Sequence, residues 1–273
     1  MADVRSEVVL ITGATDGLGK AVAFALAHPD RTLLVHGRNR ERVDALVTEL
    51  LAKGALHVRG YVADFSDLKS VRGLASEILR REKHLNVLIN NAGVGILDTR
   101  TQSADGYELT FQVNFLAGDL LSRALSGLLR RSAPSKILNI SSAGQWPLDA
   151  EDLLSEENWN GAIAYGRSKL AQIMGSFDFA AEYAGEDVVC NAIHPASLMP
   201  TKIVLGKFQP ASTIEHGVRN VLNILRDRTG ATGCFFYESE LRPAHAQAYD
   251  PAMREYLRSW VDSNITESVE RVA

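Results

Sequence analysis

The sequence predicts an α/β fold, a doubly wound parallel sheet of about seven strands with helices on both faces, three layers deep (α/β/α). Three observations carry this. Strand-like and helix-like segments alternate almost from end to end of the 273 residues. The strand-like runs are apolar without polar alternation, as strands covered on both faces are. A glycine-rich turn joins the first strand to the first helix. Alternation of this kind makes successive strands parallel and the helices their crossovers.

Strands are expected at 8–11, 32–36, 57–62, 86–90, 136–140, 188–193 and 234–237, all short and rich in β-branched or aromatic residues. Helical periodicity is expected at 18–27, 41–53, 68–81, 106–130, 162–183 and 214–226. Ser66 is placed to cap the third helix, and Ser212 with Glu215 makes a capping-box pattern before the sixth. Asp250-Pro251 fits an N-cap and first helical position of a C-terminal helix. No repeat or linker divides the chain, so residues 1–273 are read as one domain. Two longer irregular pieces, 143–161 and 196–212, interrupt the alternation. Long loops in a compact domain are often functional.

Hydrophobic residues make up 46% of the chain and charged residues 23%, the balance of a soluble globular protein. A formal charge of -4 with no basic cluster gives no reason to expect nucleic acid. Cys190 and Cys234 sit in apolar runs and read as buried thiols, with no disulfide framework and no metal spacing. Arg5 and Glu7 precede only a short apolar run, unlike a signal peptide. No stretch approaches the roughly 20 apolar residues of a membrane span. A cytoplasmic protein without membrane contact is expected.

The first strand runs into Thr12-Gly-Ala-Thr-Asp-Gly-Leu-Gly19. Gly13 permits a tight turn, Gly17 lets backbone approach a diphosphate, and Gly19 lets the helix pack close to the sheet. The helix N-terminus then offers N–H groups to phosphate oxygens. No acid follows the second strand to bond a ribose 2′-OH; Arg38, followed by Asn39, offers a guanidinium suited to a 2′-phosphate. This favours NADP(H), with NAD(H) as the alternative. Asp16 complicates that preference.

The spacing G-x-x-x-G-x-G resembles the T-G-x-x-x-G-x-G pattern of the short-chain dehydrogenase/reductase family, whose fold is the Rossmann fold. The likeness extends over most of the chain. It implies that Asp64, beside Phe65, meets the adenine. It implies that Asn90-Asn91-Ala92-Gly93 is the family's N-N-A-G element beside the adenosine ribose, and that Pro195 and Thr201 meet the nicotinamide carboxamide. At that last element Ala196 replaces the family's glycine and one extra residue precedes Thr201. The cofactor set is therefore Gly13, Thr15, Asp16, Gly17, Leu18, Gly19, Arg38, Asn39, Asp64, Phe65, Asn91, Ala92, Gly93, Pro195 and Thr201, with Tyr165 and Lys169 shared. No metal is expected.

Tyr165 and Lys169 lie four residues apart and share one helix face. A free tyrosine, with a pKa of about 10, is a poor base. A nearby ammonium, and an oxidised nicotinamide ring when bound, are expected to lower that value and make Tyr165 a general acid/base. The resemblance makes Lys169 also the holder of the nicotinamide ribose. It makes Ser142, rather than its neighbour Ser141, the clamp on the substrate oxygen, and Asn114 the holder of a water leading to Lys169.

Ser142 and Tyr165 are 23 residues apart. That spacing, with Asp152-Leu-Leu before the tyrosine and Ser168-Lys-Leu-Ala171 after it, looks like the retinol-dehydrogenase-like branch. Many members of that branch carry an N-terminal anchor that is not read here, so the substrate class does not carry over. Trp146, Trp159, Met199, Leu205 and Phe208 in the two irregular loops are expected to line a pocket for a fairly hydrophobic carbonyl or alcohol. The acids Asp149, Glu151, Asp152, Glu156 and Glu157 are expected to face solvent. The expected function is hydride transfer between NADP(H) and that carbonyl or alcohol. The alternatives are a non-catalytic NADP(H)-binding sensor or scaffold, and an epimerase or dehydratase. The resemblance also implies pairing through the fourth and fifth helices into a homodimer or homotetramer.

Overall fold

The structure, a computed structural model, describes residues 7–157 and 159–266. Residues 1–6, Asn158 and 267–273 lie outside the described residues, and with them Arg5 and the two ends of the domain expected over 1–273.

Strands β1 (Glu7–Ile11), β2 (Arg31–Gly37), β3 (His57–Val62), β4 (Val87–Asn90), β5 (Ser135–Ile140), β6 (Val188–His194), β7 (Phe235–Tyr237) and β8 (Glu240–Leu241) form one sheet in the order β3-β2-β1-β4-β5-β6-β7-β8. The first seven run parallel, as expected. The two-residue β8 pairs antiparallel with β7. It is exposed and too short to leave a periodic signal.

Adjacent residues of one strand enter opposite cores, and both cores are apolar. Leu10 and Leu88 pack with residues from the helices on one face, whereas Val9, Ile11 and Ile89 pack with those on the other. That is why the strands read as unbroken apolar runs. Each such fully buried side chain contributes about 1.5–3 kcal/mol.

The helices are α1 (Gly17–Leu26), α2 (Arg40–Ala52), α3 (Leu68–Arg81), α4 (Leu109–Phe111), α5 (Ala117–Arg131), α6 (Gly161–Glu182), α7 (Ile214–Arg226) and α8 (Pro251–Val261). The fourth expected helix starts at Leu109 rather than at residue 106. It contains a π-helical turn, Gln112–Leu116, between α4 and α5. Asn160 caps α6 by accepting from Ala162 and Ile163 N–H. Asp250 and Pro251 start α8 as expected. Two caps fall one residue later than expected. Asp67, not Ser66, accepts from Lys69 N–H, and Thr213, not Ser212, accepts from His216 N–H. Cys190 is buried; Cys234 lies just before β7 and is half-buried, so only one thiol belongs to the interior.

Helix α8 packs against α6, burying Leu257 and Val261. Arg254 Nε donates to Asp178 at 2.9 Å, and Arg123 reaches Asp262 at 2.9 Å. This C-terminal segment lies on the helices through which the family resemblance expects subunits to pair. The chain leaves β3 and returns at β4 beside β1, so strand order reverses between β1 and β4. Ligands of such sheets bind in the crevice beyond the carboxyl ends of the strands at that switch point.

Candidate active site

Nearly every residue singled out from the sequence follows the carboxyl end of a parallel strand. Gly13 (φ +62°) and Gly17 (φ +52°) hold left-handed conformations that β-carbons disfavour. A Cβ on Gly13 would come within 2.7 Å of Ala92 Cα, so the glycine turn and the segment after β4 touch through bare backbone. Asn91 Nδ2 ties them further, donating to Thr12 O at 2.8 Å and Gly13 O at 3.1 Å. Thr15 packs on Gly37, and Leu18 is buried beneath the turn. Asp16 caps α1 by accepting from Gly17 N–H at 2.8 Å.

At the end of β2, buried His36 links three strands. Gly13 N–H donates to its Nδ1 at 3.3 Å, so its Nε2–H donates to Ala63 O at 3.0 Å. Burial holds its pKa down at about 4, so the ring is neutral. It stacks on Phe65, itself buried, with centroids 4.6 Å apart. Asn39 caps α2 through Arg42 N–H, and Arg38 is exposed beside it. Asp64 accepts from Ser66 N–H and Oγ at 2.9 and 2.8 Å. Asn39 and Asp64 thus have local structural partners.

The glycine turn at the start of α1 and the exposed Arg38 fit a dinucleotide laid across β1 from the end of β2. The fit rests on the left-handed backbone that Gly13 and Gly17 give the turn and on the exposed guanidinium that follows β2.

Ser142, Tyr165, Lys169 and Asn114 converge beyond β4 and β5. Ser142 Oγ accepts from Gly144 N–H at 3.0 Å and stands on the Tyr165 side of that glycine, where it favours the ionised phenol. Ser141, by contrast, is buried and donates to Lys169 O at 2.9 Å. Lys169 Nζ donates to Ile140 O at 2.9 Å and lies 5.8 Å from the Tyr165 ring centroid. Burial lowers its pKa to about 8. A Cβ on Gly93 would lie 3.1 Å from Asn114 Oδ1 and 3.8 Å from Lys169 Nζ.

Asn114 sits in the π-helical turn, a feature frequent at functional sites. Its Oδ1 accepts from Val94 N–H at 2.8 Å, and its Nδ2 donates to Val94 O at 3.1 Å and Ser168 Oγ at 2.9 Å. The side chain is committed to these partners, which leaves the main chain as its means of holding a water. One expectation is reversed. The sequence reading has Lys169 lowering the Tyr165 pKa; in the structure burial raises it, with Ser142 opposing. The Lys169 ammonium is turned to the Ile140 carbonyl, so burial dominates.

The profile of the short chain dehydrogenase family matches residues 7–209. The chain belongs to that family. It is 37% identical over 207 residues to retinol dehydrogenase 14 of Mus musculus, covering 70% of this chain and 61% of that one. The chain thus spans about three fifths of the length of the retinol dehydrogenases it matches. Among solved structures it is similar to a Mycobacterium Paratuberculosis protein (TM-score 0.78, 24% identity, 96% of both chains). It is also similar to an NADPH-bound carbonyl reductase from chicken fatty liver (TM-score 0.68, 26% identity, 88% of this chain and 99% of that one).

In this short-chain dehydrogenase the second irregular loop reaches the glycine turn. Pro195 is buried, its carbonyl accepting from Asn220 Nδ2 at 2.8 Å, and Thr201 Cγ2 would lie 3.2 Å from a Cβ on Gly17. Thr201 is thus brought to the glycine turn, whereas Pro195 is tied to α7. Trp146, in the first loop, covers Gly166 beside Tyr165 and is half exposed. Met199 packs into the core against Gly217, whereas Leu205 and Phe208 are exposed. His194 bonds Ser197 Oγ at 3.1 Å, and burial holds its pKa down at about 4.

Sequence reasoning missed His36 as the support of the glycine turn and Lys202 as the partner of Asp16. Histidine in an apolar strand was a visible signal for the first. Nothing local signalled the second. No helix among the described residues is long and apolar enough to cross a membrane.

Proposed function

We propose that this chain is an NADP(H)-dependent oxidoreductase that interconverts a fairly hydrophobic carbonyl compound and its alcohol. The observation that carries the reading is the junction of Ser142, Tyr165 and Lys169 beside Gly93, next to the glycine turn. Within the family, the NADPH-bound carbonyl reductase and the retinol dehydrogenases support it. A bound dinucleotide supplies or accepts the hydride. Gly13, Gly17, Gly19 and the first turn of α1 would hold its diphosphate. Arg38 would hold the 2′-phosphate, Asn91–Gly93 the adenosine ribose, and Pro195 with Thr201 the carboxamide.

In reduction, Ser142 Oγ–H and Tyr165 Oη–H would both donate to the substrate oxygen. The Tyr165 O–H bond breaks as negative charge develops there, and the proton passes to that oxygen. The Lys169 ammonium stabilises the phenolate left behind and would bond the nicotinamide ribose. The Asn114 main chain would hold a water that returns a proton through Lys169. In oxidation Tyr165 takes the alcohol proton instead. Trp146, Leu205 and Phe208 give the substrate side an apolar character.

The test is thermal stabilisation by NADPH and NADH, with Arg38→Ala as control. The reading expects a larger shift with NADPH that shrinks to the NADH value in the variant. No shift with either dinucleotide would overturn it.

A further inference from the structure

Asp16 puts a carboxylate where the proposed diphosphate seat begins. One oxygen accepts from Gly17 N–H at 2.8 Å, using a donor the helix N-terminus would offer to phosphate. Standing alone, that charge would repel an incoming dianion. It does not stand alone. Its second oxygen forms an ion pair with Lys202 Nζ and lies 4.0 Å from Arg42 Nη1. The Lys202 bond is the chief reason the Asp16 carboxyl stays below the usual carboxylate range, with burial opposing. Two cations against one anion turn this corner of the turn net positive.

Lys202 comes from the loop after β6, far away in sequence. The preceding residue, Thr201, rests its methyl group on Gly17. The same loop is fixed across the cleft as well: Ile203 packs on Gly95, and Lys207 pairs with Asp98 beyond β4. The segment therefore spans from the glycine turn to the chain after β4, over the crevice at the switch point. An ammonium has three donors. The Lys202 side chain is 68% exposed, so it has room for a second anionic partner on its flexible stem.

We propose that Lys202 is a diphosphate-binding residue of the cofactor cleft, delivered by the loop after β6 and aligned over the glycine turn by its ion pair with Asp16. This rests on the dinucleotide reading above. The diphosphate is the target, rather than the 2′-phosphate, because Thr201 anchors the loop on Gly17, where the backbone would meet the diphosphate. Arg42 stands instead in the first turn of α2, just after the Arg38 proposed for the 2′-phosphate.

The experiment is calorimetric titration of the intact protein with NADPH and with NADH, in the native chain, Lys202→Met and Lys202→Arg. Unliganded melting temperatures control for folding. A diphosphate contact is common to both dinucleotides, so Lys202→Met should weaken both about tenfold, the size of one charge-assisted hydrogen bond. Lys202→Arg, which keeps the charge, should stay within about threefold of the native chain. Loss for NADPH alone would move Lys202 to the 2′-phosphate and overturn the assignment. Affinities unchanged for both would overturn it too. A native chain that binds neither dinucleotide would overturn the cofactor reading and this assignment together.

Discussion

The Lys169 ammonium donates to the backbone carbonyl of Ile140 at 2.9 Å while standing 5.8 Å from the centroid of the Tyr165 ring. The acid/base pair is thus two buried groups, each pushed toward its neutral form by burial. Lys169 falls to about 8, and Tyr165 rises above its ordinary value. Near neutral pH the tyrosine holds its proton and the lysine its charge, the states carbonyl reduction needs.

The first expectation is a pH profile. As pH rises through about 8, Lys169 loses its proton and can no longer stabilise the phenolate. The kcat/KM for carbonyl reduction should fall tenfold per pH unit above that point. A flat profile to pH 9.5 would contradict the role given to Lys169.

The same shift has a consequence for stability. The ordinary lysine value is 10.5 and the folded value about 8, so the fold disfavours the ammonium by about 3 kcal/mol. That cost is fully present below pH 8 and is relieved as pH rises toward 10.5. Lys169→Met should therefore lose at least a hundredfold in turnover while melting no lower than the native chain at pH 7. A variant that fails to fold would show that the bond to Ile140 outweighs the cost of burying the charge.

Ser141 and Ser142 separate structure from chemistry. Ser142 Oγ meets Tyr165, whereas Ser141 Oγ ties β5 to Lys169 O at 2.9 Å. Ser142→Ala should lower kcat by about 10²–10³, as removing one oxyanion donor does, with little change in melting temperature. Ser141→Ala should cost about 1 kcal/mol of stability and leave most of kcat. Steady-state kinetics beside urea unfolding distinguishes the two; exchanged outcomes would make Ser141 the clamp.

Seven parallel strands and their crossover helices were legible because burial on both faces leaves unbroken apolar runs in the sequence. The glycine turn was legible because Gly13 and Gly17 need conformations other residues resist. Caps at 66 and 212 were misplaced by one residue because two adjacent polar residues compete for each helix start. The π-turn holding Asn114 left no mark, since one extra residue in a helical turn barely shifts the apolar period. The Asp16–Lys202 pair was invisible because its members meet only when β1 and β6 send their loops over the same cleft. Local signals place strands, helices and the residues that follow them; contacts between distant loops need the folded sheet.

The substrate side gives a fourth expectation. Trp146 is 50% exposed while its backbone and Cβ cover Gly166, one residue past Tyr165; Phe208 is 44% exposed in the second loop. Trp146→Ala and Phe208→Ala should each raise KM for a hydrophobic carbonyl several-fold at nearly constant kcat, since each removes binding area rather than a reacting group. An unchanged KM in both variants would place the substrate elsewhere.

The last expectation concerns acid. His36 and His194 are buried, with pKa values of about 4 against an ordinary 6.5. The unfolded chain binds these protons first, so both contribute stability above pH 6.5 that is lost as pH falls toward 4. By pH 5 each should cost about 2 kcal/mol, the part of its 2.5-unit shift already crossed. His36 carries a further consequence. Its Nδ1 accepts from Gly13 N–H, and a protonated ring cannot accept. Dinucleotide affinity should therefore weaken along with stability as His36 is charged. Urea unfolding at pH 7 and pH 5 checks the first effect, with His194→Asn expected to recover about half of the loss. Titration with NADPH from pH 7 down to pH 4, where the folded ring is about half protonated, checks the second. An affinity that holds steady down to pH 4 would separate His36 from the glycine turn and leave its role to the core alone.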